Sequence, residues 1–172
     1  VNVDNALFSL DFRAEERLAQ LYVQVAGRSG RAEKQGEVVL QTHYPDHPLL
    51  TTLLEKGYQA FAEETLKLRH NMGLPPFSFQ ALFKAQCRHS EEAENALSQL
   101  ASFFYEQKIE GLQVLGPIPA PFSKKAGQYR WQLLLQHTSR KQLQSALSRY
   151  SPELIKSSQV RLILDVDPLD LS

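Results

Sequence analysis

A largely alternating stretch that follows two prolines limits the fold of this chain more than any other feature. Between Phe77 and Arg88, apolar residues alternate with polar ones, which is the pattern of a β-strand with one buried face. Pro75 and Pro76 precede this stretch and disfavour a helix that runs into it. We therefore predict that a separate domain begins after the prolines, with this strand as its first element.

The segments after this strand predict the element order β-α-β-β-α-β. Ser90 and Ser139 are placed as helix N-caps, and further strands are predicted at 112–115, 129–135 and 160–166. The buried stripe of the first helix is predicted to consist of Ala93, Leu97, Leu100, Ala101 and Phe104. This order is that of two split units in a ferredoxin-like or ribosomal-S10-like sandwich, so the predicted class is mixed α/β (α+β).

The residues before the prolines predict the end of a parallel α/β lobe. Short apolar segments at 1–10 and 37–42 have the character of strands. The helix between them is predicted to begin at Asp11 and to end at Gly27. A strand–helix–loop–strand unit of this kind is part of a lobe whose sheet needs further strands to be complete.

A longer helix is predicted to connect this lobe to the C-terminal domain. Its apolar residues keep a helical period from Pro48 onward, and Gly73 followed by prolines ends it. We therefore divide the chain into the lobe end at 1–47, a bridging helix at 48–74 and the C-terminal domain at 75–172.

Charge is balanced over the whole chain but not along it. The chain has 19 Lys and Arg and 19 Asp and Glu, yet the segment from Pro117 to Arg161 contains eight basic residues and only one acidic residue. A positively charged surface raises the local concentration of polyanions.

The single cysteine excludes an internal disulfide and a zinc cluster of cysteines, and favours a reducing cytoplasm. Pro45 separates His43 from His47 and prevents a helical metal-binding pair, so we expect no metal site.

The block Gln24–Arg31 combines two arginines with two glycines. Arg28 and Arg31 are three positions apart, and the glycines would let an anion approach the backbone closely. Guanidinium groups fit phosphate oxygens better than point charges do. Two other interpretations stay open: a glycine-ended helix with a solvated basic turn, or pairing of Arg28 with Glu15 or Glu33.

The order of several motifs resembles the family of primosomal replication-restart DNA helicases, the PriA family, within the superfamily 2 helicases. The matching segments are 11–17, 20–31, 36–42, 74–77, 114–117, 129–132 and 165–168. The resemblance implies the C-terminal fragment of an ATP-dependent 3′→5′ DNA helicase that restarts stalled replication forks, beginning inside the second RecA-like lobe. We expect the fragment alone to be inactive, because no phosphate loop or acidic metal box is present in it.

The same resemblance assigns roles to the Gln24–Arg31 block. It implies that Arg31 is the arginine finger and that Arg28 contacts the γ-phosphate, which makes both catalytic. Gln24 and Gly27 are implied to lie with them on the phosphate side of ATP. The implied cofactor of the full-length enzyme is ATP with Mg²⁺, and the zinc sites of the family lie outside this segment.

A basic hairpin tip is the candidate DNA-binding site. Lys124, Lys125 and Arg130 lie among aromatic residues between Phe122 and Trp131, a combination that suits a nucleic-acid backbone with occasional base stacking. The alternative is an ordinary solvated hairpin whose lysines deter edge pairing.

Arg140 and Gln144 are the candidate partner-binding residues. They are four apart on a helix that Ser139 is predicted to cap, so they share a face near the positive end of the helix dipole, where a carboxylate is stabilised. The resemblance implies the acidic C-terminal tail of single-stranded DNA-binding protein as the ligand. It also implies forked and single-stranded DNA and other primosome proteins as partners, and a cytoplasmic, nucleoid-associated location. The alternative is a solvated helix start.

One rival function does not use the helicase resemblance at all. A free-standing S10-like module with an N-terminal helical extension could bind nucleic acid or protein without motor activity. Its arginine pair would then bind RNA or a partner protein.

Overall fold

The computed structural model describes residues 3–8, 11–29 and 37–169, which form two compact units, Val1–Met72 and Gly73–Ser172. The mixed α/β class predicted from the sequence is confirmed. The described part of the first unit contains helices and no strand, and the second unit contains a sheet with two helices.

The first unit is built from α1 (Val3–Leu7), α2 (Ala14–Ser29) and α3 (Pro48–Asn71). Two small apolar clusters hold the helices together. The first consists of Val3, Leu7, Leu18 and Leu50, and the second of Ala19, Leu49, Leu53 and Phe61. Because α3 supplies residues to both clusters, it packs as a part of this unit.

The predicted strand at 1–10 is wrong, since α1 occupies its centre. Val3 and Leu7 are four residues apart and both are buried, which places them on one face of a helical turn. The predicted strand at 37–42 is also wrong, because these residues form no regular structure. A strand needs a neighbour for its backbone groups, and no strand of the described part of this unit offers one.

Asp4 holds the end of this irregular segment. Its carboxylate accepts hydrogen bonds from the hydroxyl of Thr42, from the backbone N–H of His43 at 3.2 Å and from His43 Nδ1 at 2.6 Å. The Thr42 hydroxyl, followed by the His43 side chain, lowers the pKa of Asp4 below its usual value. Hydrogen bonds to the ionised carboxylate cause this shift.

The predicted helix end at Gly27 and the predicted continuous bridging helix both need correction. The helix α2 continues through Gly27 to Ser29, because one glycine costs a helix only about 1 kcal/mol relative to alanine. The helix α3 is interrupted at Gly57, which has φ 82° and ψ −178°. Such backbone angles are accessible to glycine and to almost no other residue, so the predicted bridging helix is two helical segments joined at this position.

Arg69 fixes the end of α3 to the start of α2. Its Nη2 donates to the carbonyl oxygen of Phe12 and to Glu16 Oε2, both at 3.0 Å, and its guanidinium lies 4.9 Å from the Phe12 ring centroid. Burial raises the pKa of neighbouring Glu15, and the charge of Arg69 opposes that shift. The orientation of α2 is therefore set by a buried charged group as well as by apolar packing.

The second unit contains β1 (Phe79–Cys87), α4 (Ser90–Glu106), β2 (Gln113–Lys125), β3 (Gln128–His137), α5 (Arg140–Ser157) and β4 (Arg161–Val166). The sheet order is β2-β3-β1-β4 with every neighbouring pair antiparallel. The predicted stripe of α4 is buried as expected, and it packs on the inner residues of β1 and β3, namely Ala81, Phe83, Ala85, Leu133 and Leu135. The core therefore lies between the helices and one face of the sheet.

The strand β2 is much longer than the predicted segment 112–115. It continues through Pro117, Pro119 and Pro121 to Lys125, with register shifts against β3. Proline is tolerated here because β2 is an edge strand, so the missing N–H groups need not face a second neighbour.

The starts of α4 and α5 differ in how they are capped. Ser139 Oγ accepts from the backbone N–H of Gln142, so the predicted cap of α5 is confirmed. Ser90 does not cap α4, because its Oγ accepts from Trp131 Nε1 at 3.0 Å and lies inside the helix. An indole N–H that becomes buried needs an acceptor, and Ser90 provides it.

His137 fixes the junction between β3 and α5. Its Nδ1 accepts from the backbone N–H of Ser139 at 2.7 Å, and its Nε2 lies 2.8 Å from the carbonyl oxygen of Glu110. These partners require a neutral ring with the proton on Nε2. The start of α5, and with it Arg140, is thereby anchored to the loop before β2.

Candidate nucleotide and nucleic-acid sites

Gln24 and Arg28 lie on the exposed side of the last turns of α2. They are four residues apart, which places them on one face. Arg28 has no ion pair within the part of the chain that the structure describes, and the cation beside Glu15 is Arg69. The interpretation in which Arg28 pairs with Glu15 is therefore not supported. Arg31 lies outside the described residues.

An open cleft adjoins Gln24 between α2 and α3. It has a volume of about 650 Å³, and its lining is Arg17, Gln20, Leu21, Val23, Gln24 and Tyr58. The arginine in this lining is paired with Asp11. The free polar groups of the cleft are therefore uncharged, and Arg28 supplies the free positive charge on the same helix.

Gly27 is not required by packing within the described residues. A Cβ built on it meets no atom within 4 Å. The C-terminal end of α2 also carries the negative end of the helix dipole, so the helix alone does not attract a phosphate. The residues present fit an anion through the Arg28 guanidinium and the Gln24 amide, and the open space at Gly27 leaves room for a bulky ligand.

The hairpin between β2 and β3 brings its two lysines to the tip. Lys125 pairs with Gln128 across Ala126 and Gly127, whose φ angles are 50° and 75°, as in a type I′ turn. Lys124 Nζ lies 3.4 Å from the hydroxyl oxygen and 4.9 Å from the ring centroid of Tyr129. Both lysines are exposed and neither has an acidic partner among the described residues.

Arg130 is separated from the lysines of the tip. It lies inside β3, half-buried, directly opposite Gln86 of β1. Lys125 shares a face of the sheet with Arg130 through its pair Gln128, whereas Lys124 pairs with Tyr129 on the other face. The three predicted DNA-binding residues therefore do not form one cluster.

Arg140 and Gln144 share a face at the start of α5, and Arg140 already has a partner. Its Nη2 lies 2.5 Å from Asp167 Oδ2, and its guanidinium carbon lies 5.2 Å from the Phe79 ring centroid. The backbone N–H of Asp167 donates to the carbonyl oxygen of Gln80 at 2.8 Å. Sequence reasoning missed Asp167 because it follows β4, far from Arg140 in the chain.

Neither a membrane span nor a metal cluster occurs among the described residues. No helix there is long and apolar enough to cross a lipid bilayer. No group of three or more His, Cys, Asp or Glu side chains in the same ranges is placed to hold a metal ion.

Comparison with known proteins identifies the family. Residues 70–169 match the family described as primosomal protein N C-terminal domain. The chain is 79% identical to the replication restart protein PriA of Haemophilus influenzae, over 100% of this chain and 24% of that protein. It is 33% identical to the PriA of a Synechocystis species over 99% of this chain and 20% of that protein, and 29% identical to the PriA of Bacillus subtilis over 98% and 21%. The chain therefore spans about a quarter of the length of these relatives or less, and it belongs to the primosomal protein N (PriA) family.

Proposed function

We propose that this chain is the C-terminal part of an ATP-dependent 3′→5′ DNA helicase that restarts stalled replication forks in the cytoplasm, at the nucleoid. The observation that carries the proposal is the 79% identity, over the whole chain, to a protein named for replication restart. Arg28 supports it as well, because this exposed guanidinium has no ion pair among the described residues and is therefore available to another lobe of the enzyme.

In this proposal, α2 presents the phosphate-facing groups of the motor. Arg31 stabilises the charge that develops on the transferred phosphoryl group, and Arg28 binds the γ-phosphate oxygens. Gln24 donates its amide hydrogens at the same cleft. ATP with Mg²⁺ supplies the hydrolysable bond, and the rest of its site belongs to the preceding part of the polypeptide. Arg69 keeps α2 in place while these groups act.

In this proposal the rest of the ATP site belongs to the preceding part of the polypeptide. Residues 1–172 alone are therefore expected to show no ATP hydrolysis, with or without DNA. The full-length enzyme is expected to hydrolyse ATP and to be stimulated by forked DNA. Phosphate release measured on both proteins checks this, with circular dichroism confirming that the shorter one is folded. Turnover that follows the purified short chain would contradict the proposal.

The hairpin tip is proposed to contact the DNA backbone through Lys124 and Lys125. Replacing both by alanine in the full-length enzyme is expected to weaken binding of all DNA sequences alike, because phosphates carry no sequence information. The slope of log affinity against log salt concentration is expected to become shallower by about 0.7 to 0.9 for each phosphate that is no longer bound. Fluorescence anisotropy at several salt concentrations measures both quantities. A loss of affinity with an unchanged slope would argue for a different role of the tip.

The start of α5 is proposed to bind the acidic C-terminal tail of single-stranded DNA-binding protein. The Arg140 guanidinium uses one nitrogen on Asp167 and has further N–H donors for a terminal carboxylate. Gln144 can donate to the peptide backbone. Arg140→Ala in the full-length enzyme is expected to cost about 1.5–3 kcal/mol of tail affinity, as for a hydrogen bond to a charged group.

Asp167→Ala is the matched variant for that measurement. This variant removes the carboxylate that competes for Arg140, so its affinity for the tail is expected to equal or exceed that of the wild type. Equal tail binding by the wild type and by Arg140→Ala, measured by anisotropy of a labelled peptide, would exclude Arg140 from the site. Amidation of the peptide's terminal carboxylate is expected to reproduce most of the loss.

A further inference from the structure

Three residues that are distant in the sequence form a row across the sheet. Gln86 of β1 pairs with Arg130 of β3 on one side and with Arg161 of β4 on the other. Directly opposed residues of antiparallel strands project from the same face. Ala85, the preceding residue of β1, belongs to the core under the helices, so the row lies on the face that points away from α4 and α5.

The row has no partner in the described part of the chain. Arg161 is exposed and Arg130 and Gln86 are half-buried, and none of the three side chains has a hydrogen bond or an ion pair there. The next position on this face of β1 is Lys84, whose Nζ lies 3.7 Å from Asp165 Oδ2. Asp165, the acidic residue of β4 on this face, is therefore already paired with Lys84, and neither arginine has an acidic partner among the described residues.

The spacing of the row fits a polyanion with regularly repeated charges. Adjacent strands lie about 4.8 Å apart, so the two arginines are separated by roughly 10 Å at the backbone. At a rise of about 3.4 Å per nucleotide of one strand, this distance covers about three nucleotides. Guanidinium groups bind phosphate through two parallel hydrogen bonds, and the amide of Gln86 between them can donate to a phosphate or sugar oxygen.

The row is also continuous with the hairpin tip. Arg130 follows Gln128 by two positions on β3, and Gln128 pairs with Lys125 at the tip. A backbone held by Lys125 therefore reaches Arg130 first, then Gln86 and finally Arg161 at the edge strand.

We propose that Arg130, Gln86 and Arg161 form a seat for the sugar-phosphate backbone of one DNA strand on the face of the sheet that points away from α4 and α5. This inference rests on the proposed function, in which the C-terminal unit holds DNA, and it adds Gln86 and Arg161 to the DNA-binding residues. The arginines bind phosphates, and Gln86 fixes the position of the strand between them.

The test uses a labelled single-stranded oligonucleotide and the full-length protein, with binding measured by anisotropy at several salt concentrations. The Arg130→Ala/Arg161→Ala double variant is expected to bind roughly tenfold more weakly and to have a salt slope shallower by about 1.4, because each of the two phosphates accounts for about 0.7. Gln86→Ala is expected to weaken binding without a change in slope, because a neutral group releases no counterion. Arg149→Ala, which changes an exposed arginine of α5 in the helical layer, is the control and is expected to bind as the wild type does.

Gln86→Glu is a second variant that keeps the size of the side chain. Its carboxylate would pair with the flanking arginines and cancel one of their two positive charges, so the fold is retained and binding is expected to fall, though less than in the double variant. A double variant with wild-type affinity and slope overturns the seat. If in that case the tip variant Lys124→Ala/Lys125→Ala has a shallower salt slope, the C-terminal unit still binds DNA and only the seat is wrong. If neither variant changes DNA binding, both the seat and the proposed DNA-binding role of the C-terminal unit are wrong.

Discussion

Replacing Arg31 by alanine in the full-length enzyme is expected to lower DNA-stimulated ATP turnover by about 10³-fold or more, the size of effect seen when an arginine finger is lost. The reason is electrostatic. A guanidinium aimed at the transferring phosphoryl group stabilises charge that is greater in the transition state than in the bound substrate. Steady-state phosphate release with saturating forked DNA measures the effect, and the loss is expected in kcat more than in KM.

Arg17→Ala is the matched control on α2. Arg17 is exposed but paired with Asp11, so its loss is expected to change turnover little. DNA affinity measured in parallel is expected to be nearly the same for Arg31→Ala and the wild type. A parallel loss of DNA affinity in Arg31→Ala would mean that this residue acts on DNA and not on the nucleotide.

Phe104→Ala is expected to destabilise the second unit by about 3–5 kcal/mol, the usual cost of removing a buried aromatic ring. Phe104 is 1% exposed. Its ring centroid lies 5.8 Å from that of Phe103, 6.1 Å from that of Phe83 and 6.3 Å from that of Tyr150. The truncation removes packing against both helices and the sheet and leaves a cavity that the rigid sheet cannot close.

The same substitution at Phe122 is the control for this prediction. Phe122 is 69% exposed near the hairpin tip, so Phe122→Ala is expected to change the free energy of unfolding by about 0.5 kcal/mol or less. Urea denaturation followed by circular dichroism compares the two variants. Similar midpoints for both would contradict a core centred on Phe104.

The second unit was largely predictable because its signals are local and periodic. The alternation of β1 and the stripe of α4 place Ala81, Phe83, Ala85 and the α4 stripe inside, as the structure does. Phe77 departs from this pattern because it is exposed and precedes β1, and Leu82 departs from it because it is buried on the other face. Two details were not predictable. Gln80 and Gln136 are buried and bonded to each other at 2.6 Å, although alternation assigns Gln80 to the polar face. The length of β2 was hidden by its prolines.

The first unit was less predictable because its short segments depend on distant partners. The residues at 37–42 resemble a strand, but Asp4 binds their end and no strand of the described residues in this unit lies beside them. Gly27 looks like a helix end, yet α2 continues past it. A local pattern does not reveal which of two arrangements the tertiary contacts favour.

The candidate sites also differ in how far a local sequence pattern predicts them. Arg28, Lys124 and Arg140 were recognised from short motifs, and the structure leaves the first two without an acidic partner among the described residues. The pairing of Gln86 with Arg130 and Arg161 depends on strand register, which a single sequence does not specify.

The two edges of the sheet are not equivalent for association with another polypeptide. On β2, Pro117, Pro119 and Pro121 remove N–H donors at alternate positions, whereas no proline interrupts the edge strand β4 from Arg161 to Val166. An extended peptide that adds to this sheet by β-augmentation would therefore pair with β4. It would lie in the plane of the sheet beside Arg161, at one end of the proposed DNA seat.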